Sequence, residues 1–240
     1  MVDRFQKELG GALDQLRGLL EDLQRLGIEQ ISTAPDPFMQ PLCSREPESI
    51  GGPCRIETLE EIRADLGDCR RCGLSEARTR IVFGEGHQAS SLVLVGEAPG
   101  REEDRQGMPF VGEAGRLLER ILFAMGLSRE GVYICNVQKC RPPRNRDPLP
   151  EEIAACEPFL RRQLRALRPR VIVSLGRFSA QTLLATSEPI GALRGRWQSY
   201  AGIDLMPTYH PAYLLRNPAA KREVWEDMKQ VMVRLRHEDA

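Results

Sequence analysis

The run LVLV at residues 92–95 breaks into GEAPG at residues 96–100, and this one junction narrows the folds open to the chain. Four aliphatic residues, with Ser90 and Ser91 before them and Gly96 after, suit a strand buried on both faces of a parallel sheet. Glu97 then stands just past the carboxyl end of that strand. In open α/β sheets the crevice beyond those ends is where ligands bind, and Gly96, Pro99 and Gly100 make a tight turn that lets a ligand approach the backbone. Similar runs recur as VYICNV at 132–137, VIVSL at 171–175, which turns at Gly176, and DLMPTY at 204–209, where Pro207 weakens the pattern but delivers His210. Helical spacing fills the gaps at 115–127, from Pro150 to about residue 167, from Gly176 to near Thr186, and from Asn217 onward with Trp225 and Met228 inward. Strands alternating with helices predict a mostly parallel sheet covered on both sides, a three-layer α/β/α sandwich with Glu97, Asn136, Gly176 and His210 on one rim.

At 240 residues the chain can bury one substantial core with length left for an appendage. No apolar run approaches the roughly 20 residues of a membrane span. The opening MVDRFQKELGGALDQ mixes charges too early for a secretory signal, so a cytoplasmic protein is expected. Net charge is zero, yet residues 1–67 carry 7 Lys and Arg against 13 Asp and Glu, so the rest of the chain carries the compensating excess of positive charge. A basic body behind an acidic front is compatible with a polyanionic partner.

Three segments are expected. Residues 1–32 hold an amphipathic helix, with Leu9, Leu13, Leu16, Leu20 and Leu23 on one narrow stripe that can dock on the body, pair with a copy of itself or bind another protein. Residues 33–57 read as a Pro/Gly-rich linker containing Cys43 and Cys54. Residues 58–240 form the main domain, opened by a capping box of Thr58 and Glu61. In it Cys69 and Cys72, two residues apart, commonly grip a metal, and alone they fit zinc, a redox couple or an iron-sulfur cluster. Candidate partners are Cys140 and Cys156, far along the chain; two close and two distant thiols are less typical of a zinc ribbon.

GEAPG at 96–100, PFVGEAG at 109–115, NVQKCRPP at 136–143 and HPAYLLRNP at 210–218 together resemble the family 4 uracil-DNA glycosylases, over roughly residues 58–236. The resemblance implies a central four-stranded parallel sheet, excision of uracil from single- and double-stranded DNA, and a 4Fe-4S cluster on Cys69, Cys72, Cys140 and Cys156. Ala98 and Gly100 stand where the best-known branch of the superfamily has a water-activating Asp and a Tyr that blocks the thymine methyl. A related group traps the cleaved sugar through a histidine in a basic loop; here SEPIGALRGRW has none, so turnover is expected.

On this reading Gly96, Glu97, Ala98, Pro99, Glu103, Phe110, Asn136 and His210 bind the base, with Glu97, Asn136 and His210 catalytic. Phe110 stacks on the flipped uracil. The Asn136 amide matches the acceptor O4 and donor N3 of its edge, and cytosine offers the reverse pattern. His210 donates to O2 as charge develops. Glu97 orders water or stabilises the sugar cation, and Glu103 excludes the thymine methyl. Leu214, Leu215 and Arg216 in a loop after His210 wedge into the stack, while Arg141, Arg144, Arg146, Arg194 and Arg196 contact phosphate. The competing expectations are a cluster-bearing DNA-binding module with little catalysis, docked on a replication or repair protein through the amino-terminal helix, and a zinc-binding nucleotide hydrolase. A monomer is expected.

Overall fold

The structure is a computed structural model that describes residues 55–236. The helix expected over residues 1–32 and nearly all of the linker, with Cys43 and Cys54, lie outside the described residues.

Helix α1, Leu59–Leu66, begins as its sequence dictates: Thr58 Oγ1 accepts from the Glu61 N–H at 3.2 Å while the Glu61 carboxylate accepts from the Thr58 N–H at 2.9 Å. After it come strand β1 (Glu85–Gly86), strand β2 (Leu92–Gly96), helices α2 (Arg101–Gln106) and α3 (Glu113–Ala124), and strand β3 (Tyr133–Asn136). Helix α4 (Pro150–Leu167), strand β4 (Val171–Leu175), helices α5 (Arg177–Leu184) and α6 (Ile190–Leu193), and strands β5 (Gln198–Tyr200) and β6 (Ile203–Thr208) continue the alternation. Helices α7 (Pro211–Arg216) and α8 (Lys221–Arg236) end the described chain.

The sheet has six strands in the order β1-β3-β2-β4-β6-β5. Its four central strands are the expected parallel ones, and the expected count is corrected by two short antiparallel edges, β1 on β3 and β5 on β6. Pro207 does not interrupt β6 because β5 pairs only as far as Leu205; beyond it Pro207 has no strand on that side, so its missing N–H costs no ladder bond there.

Alternation along each strand splits the core in two. Leu92, Leu94, Ile134, Val171, Val173 and Met206 face α3, α7 and α8, through Leu118, Leu122, Leu214, Val224 and Met228. Val93, Val95, Cys135, Ile172 and Leu205 face α1, α4 and α5, through Ile62, Phe159, Leu160, Leu164 and Leu183. Each such buried aliphatic side chain contributes roughly 1.5–3 kcal/mol. This is the α/β/α sandwich. The chain leaves β2 for β3 on one side and returns to β4 on the other, so a crevice opens at the strand ends between β2 and β4.

Candidate active site

Glu97 and Asn136 meet because their strands are in register, with Gly96 paired to Asn136. The Val137 N–H donates to the Gly96 carbonyl at 3.0 Å and the Gln138 N–H to the Glu97 carbonyl at 2.9 Å, so the two strand ends leave the sheet together. Only glycine fits at 96: a Cβ there would lie 2.3 Å from Asn136 Oδ1 and 2.6 Å from Phe110 Cζ. The Asn136 side chain is 1% exposed, and its Oδ1 has no hydrogen-bond partner among the described residues. Its main-chain carbonyl accepts from Lys139 Nζ at 2.6 Å, a fully buried lysine.

Phe110 is held over the strand ends in a left-handed conformation, φ 53°. Arg129 donates to the Phe110 and Pro109 carbonyls, and Gly115 leaves room for the turn, since a Cβ there would sit 1.9 Å from the Phe110 carbonyl oxygen. That accounts for the spacing of PFVGEAG. The Phe110 ring lies 5.5 Å from the His210 ring, tilted by 30°.

His210 caps α7, and its Nδ1 accepts from the Ala212 N–H at 3.1 Å. An accepting Nδ1 puts the proton of the neutral ring on Nε2. Burial, reinforced by the positive charge of Arg216, pushes His210 down to about 4, so the neutral ring prevails at physiological pH. Gly176, φ 96°, passes behind it; a Cβ there would meet His210 Cβ at 2.9 Å.

Burial, and secondarily the negative charge of Asp147, pushes Glu97 up to about 7 against the opposing pull of Arg177. Glu103 has another environment: its Oε1 accepts from the Val111 and Gly112 N–H groups at 2.9 Å each, at the start of α3. Its Oε2 lies 2.6 Å from where a Cβ on Gly100 would be, so this carboxylate occupies the space a larger side chain at 100 would take.

Glu97, Gly100, Glu103, Phe110, Asn136 and His210 line one cleft of about 380 Å³ with Ala98, Pro99, Arg146, Arg216 and five residues not anticipated from sequence, Ala114, Pro142, Asn145, Asp147 and Ala212. Asn145 and Asp147 sit among the arginines of the KCRPPRNRDP loop, where no periodicity marks which side chains turn inward.

Several expectations are corrected. Leu214 is no wedge: the segment after His210 is a helix rather than a loop, started by Pro211, and it turns Leu214 fully into the core. Leu215, 39% exposed, and Tyr213, 38% exposed and stacked on Tyr209 at 4.9 Å, face outward. Arg194 is no phosphate contact, because it is bound to the buried Asp227 and to Glu223. Arg146 lines the cleft but is held bidentately by the buried Glu152, at 2.9 and 2.5 Å, which leaves little of its charge for phosphate. Arg141 binds Asn145 Oδ1 at 2.7 Å, whereas Arg144, Arg196 and Arg216 are exposed.

Cys69, Cys72, Cys140 and Cys156 line a separate small cavity with Leu66, Leu74, Lys139 and Ala155. Arg71 donates to Cys69 Sγ at 3.5 Å, Arg78 to Cys140 Sγ at 3.6 Å and the Lys139 N–H to Cys156 Sγ at 3.2 Å. Without a metal, burial pushes Cys140 up to about 11. Among the described residues no three His, Cys, Asp or Glu side chains converge closely enough to hold an ion by themselves.

Residues 83–229 match the family model described as the uracil DNA glycosylase superfamily. A Type-4 uracil-DNA glycosylase of Archaeoglobus fulgidus is 44% identical over 186 residues, which cover 73% of this chain and 92% of that protein. A Type-4 uracil-DNA glycosylase of Thermotoga maritima is 44% identical over 181 residues, 73% of this chain and 94% of that one. A Type-5 uracil-DNA glycosylase of Pyrobaculum aerophilum is 33% identical over 146 residues, 54% of this chain and 64% of the other. Four motifs closing on one cleft and near-full coverage of the Type-4 proteins lead to one conclusion: the chain belongs to the uracil-DNA glycosylase superfamily, in its Type-4 family.

Proposed function

We infer that this protein is a DNA repair glycosylase that flips uracil out of DNA, hydrolyses its N-glycosidic bond and leaves an abasic site. The observation that carries the reading is the buried Asn136 Oδ1, without a partner among the described residues and register-locked beside Glu97 in a cleft that also holds the neutral His210. An orphaned buried acceptor costs roughly 1–3 kcal/mol, which a ligand N–H can relieve. Uracil N3–H is such a donor, and O4 beside it accepts from the same amide. Phe110 stacks on the ring, and His210 Nε2–H donates to O2 as the leaving base gains charge. Glu97 serves as proton acceptor for the attacking water: the water oxygen bonds to C1′, its proton passes to Glu97, and the C1′–N1 electron pair departs with uracil. A carboxylate near 7 suits that task better than one at its ordinary value. Glu103, pinned against Gly100, walls off the position of a thymine methyl. The exposed Leu215 and Arg216 fill the stack, and Arg141, Arg144 and Arg196 contact phosphate.

Cys69, Cys72, Cys140 and Cys156 would hold a 4Fe-4S cluster. Four thiols on one cavity, with N–H donors aimed at three of the sulfurs, suit such a group. When bound it supplies a covalent tie between the segment after α1 and the loop that carries Arg141 to Asp147. Residues 58–240 form the glycosylase unit, acting as a monomer in the cytoplasm; residues 33–57 are the linker, and the stripe on residues 1–32 takes a protein partner. Release of free uracil from single- and double-stranded uracil-containing oligonucleotides tests the main reading. Release from both is expected, and none from iron-replete protein would overturn it in favour of a binding module.

A further inference from the structure

Water activation is where this cleft differs from a one-carboxylate site. Three carboxylates line it, Glu97, Glu103 and Asp147. Glu103 is committed to two backbone N–H groups. Asp147 stands on the loop after β3, and Arg177, the first residue of α5, donates to its Oδ2 at 2.8 Å. Arg177 is itself steadied over the Phe178 ring at 4.3 Å. The ion pair therefore joins the loop to the helix that starts behind His210, and it fixes a negative charge on the wall of the cleft that Glu97 also lines.

We propose that Asp147, held by Arg177, is a positioning residue that acts through Glu97 and sets how strongly Glu97 takes the proton of the attacking water. The proposal rests on the reading of Glu97 as the proton acceptor. The other charged groups around the cleft are spoken for or act on other residues: Arg146 is held by Glu152, and Arg216 acts on the neutral His210. Asp147, which lines the same cleft as Glu97, and its partner Arg177 bear on Glu97 with opposite signs, Asp147 favouring the protonated carboxyl and Arg177 the ionised one. A negative neighbour disfavours ionisation of Glu97, so the carboxylate that remains ionised is a stronger base. The covalent step is unchanged: water gives its oxygen to C1′ and its proton to Glu97.

The test is the pH dependence of single-turnover uracil release at fixed salt, for wild type, Asp147→Asn, Asp147→Glu and Glu97→Gln. Wild type should show an acid limb with its midpoint near 7. In Asp147→Asn the midpoint should move to lower pH by roughly half a unit or more, and the plateau rate should fall. Asp147→Glu should bring the midpoint back toward wild type. Titration of the Glu97 carboxyl by carbon NMR in DNA-free protein should move the same way, a readout that a merely structural role for Asp147 would leave in place. A midpoint in Asp147→Asn that stays put or rises, with the limb still abolished by Glu97→Gln, overturns the role of Asp147. A limb that survives in Glu97→Gln overturns instead the premise that Glu97 is the base.

Discussion

Thr208 and His210 are two residues apart at the end of β6, yet they belong to polar clusters of opposite character. Thr208 Oγ1 donates at 2.6 Å to Asp227, a carboxylate of α8 that also accepts twice from Arg194, and every member of that buried group is matched. His210 faces the cleft, where Asn136 Oδ1 is buried without a partner among the described residues, Glu97 is held far above its ordinary range and Phe110 has a left-handed backbone. A satisfied cluster holds α8 on the sheet; an unsatisfied one waits for a ligand. The difference teaches which buried polar groups serve the fold and which serve the substrate, and substitution on each side can break the distinction.

The largest effect is expected on the satisfied side. Asp227→Ala takes the acceptor from the buried Thr208 hydroxyl and leaves the largely buried Arg194 paired with the half-exposed Glu223 alone, and should lower stability by about 3–5 kcal/mol, read by denaturant unfolding, while the rate per folded molecule changes little. His210→Ala should do the reverse, cutting single-turnover uracil release by roughly 10²–10³-fold with DNA affinity and melting temperature nearly kept. Wild-type rates in that variant would remove His210 from the mechanism. Asn136→Asp replaces the amide donor with an acceptor that repels O4, and the preference for uracil over cytosine should drop by about ten-fold or more, a loss on the order of 1–3 kcal/mol. An unchanged preference would show the edge is read elsewhere. The smallest effect belongs to Arg196→Ala, which should weaken DNA binding uniformly across sequences and reduce the salt slope by about 1, whereas Arg194→Ala should act mainly on stability.

The strand ends were legible because apolar runs stop at polar or glycine residues: GEAPG, Asn136, Gly176 and His210 all land on the rim their spacing suggests. Thr58 and Glu61 likewise cap α1 as their spacing requires. What stayed hidden depends on distance or rotation. Strands β1 and β5 are two and three residues long, too short to show a period. Arg194 looked like a surface cation because its partner Asp227 is 33 residues on. Leu214 and Leu215 differ only in which way α7 turns them, about 100° apart around the helix, and that is set by Pro211 and the packing of α7 on α3 rather than by residue type. Asp147 reaches the cleft through an ion pair with Arg177, 30 positions away, that no local pattern encodes.

A crystal structure of the protein with a flipped deoxyuridine in DNA tests the convergence of Glu97, Asn136 and His210 most directly. The account predicts uracil stacked on Phe110, the Asn136 amide paired with N3 and O4, and His210 Nε2 within hydrogen-bond distance of O2, roughly 2.7–3.2 Å. A base bound outside this cleft, or one whose O2 is served by another donor, would contradict it.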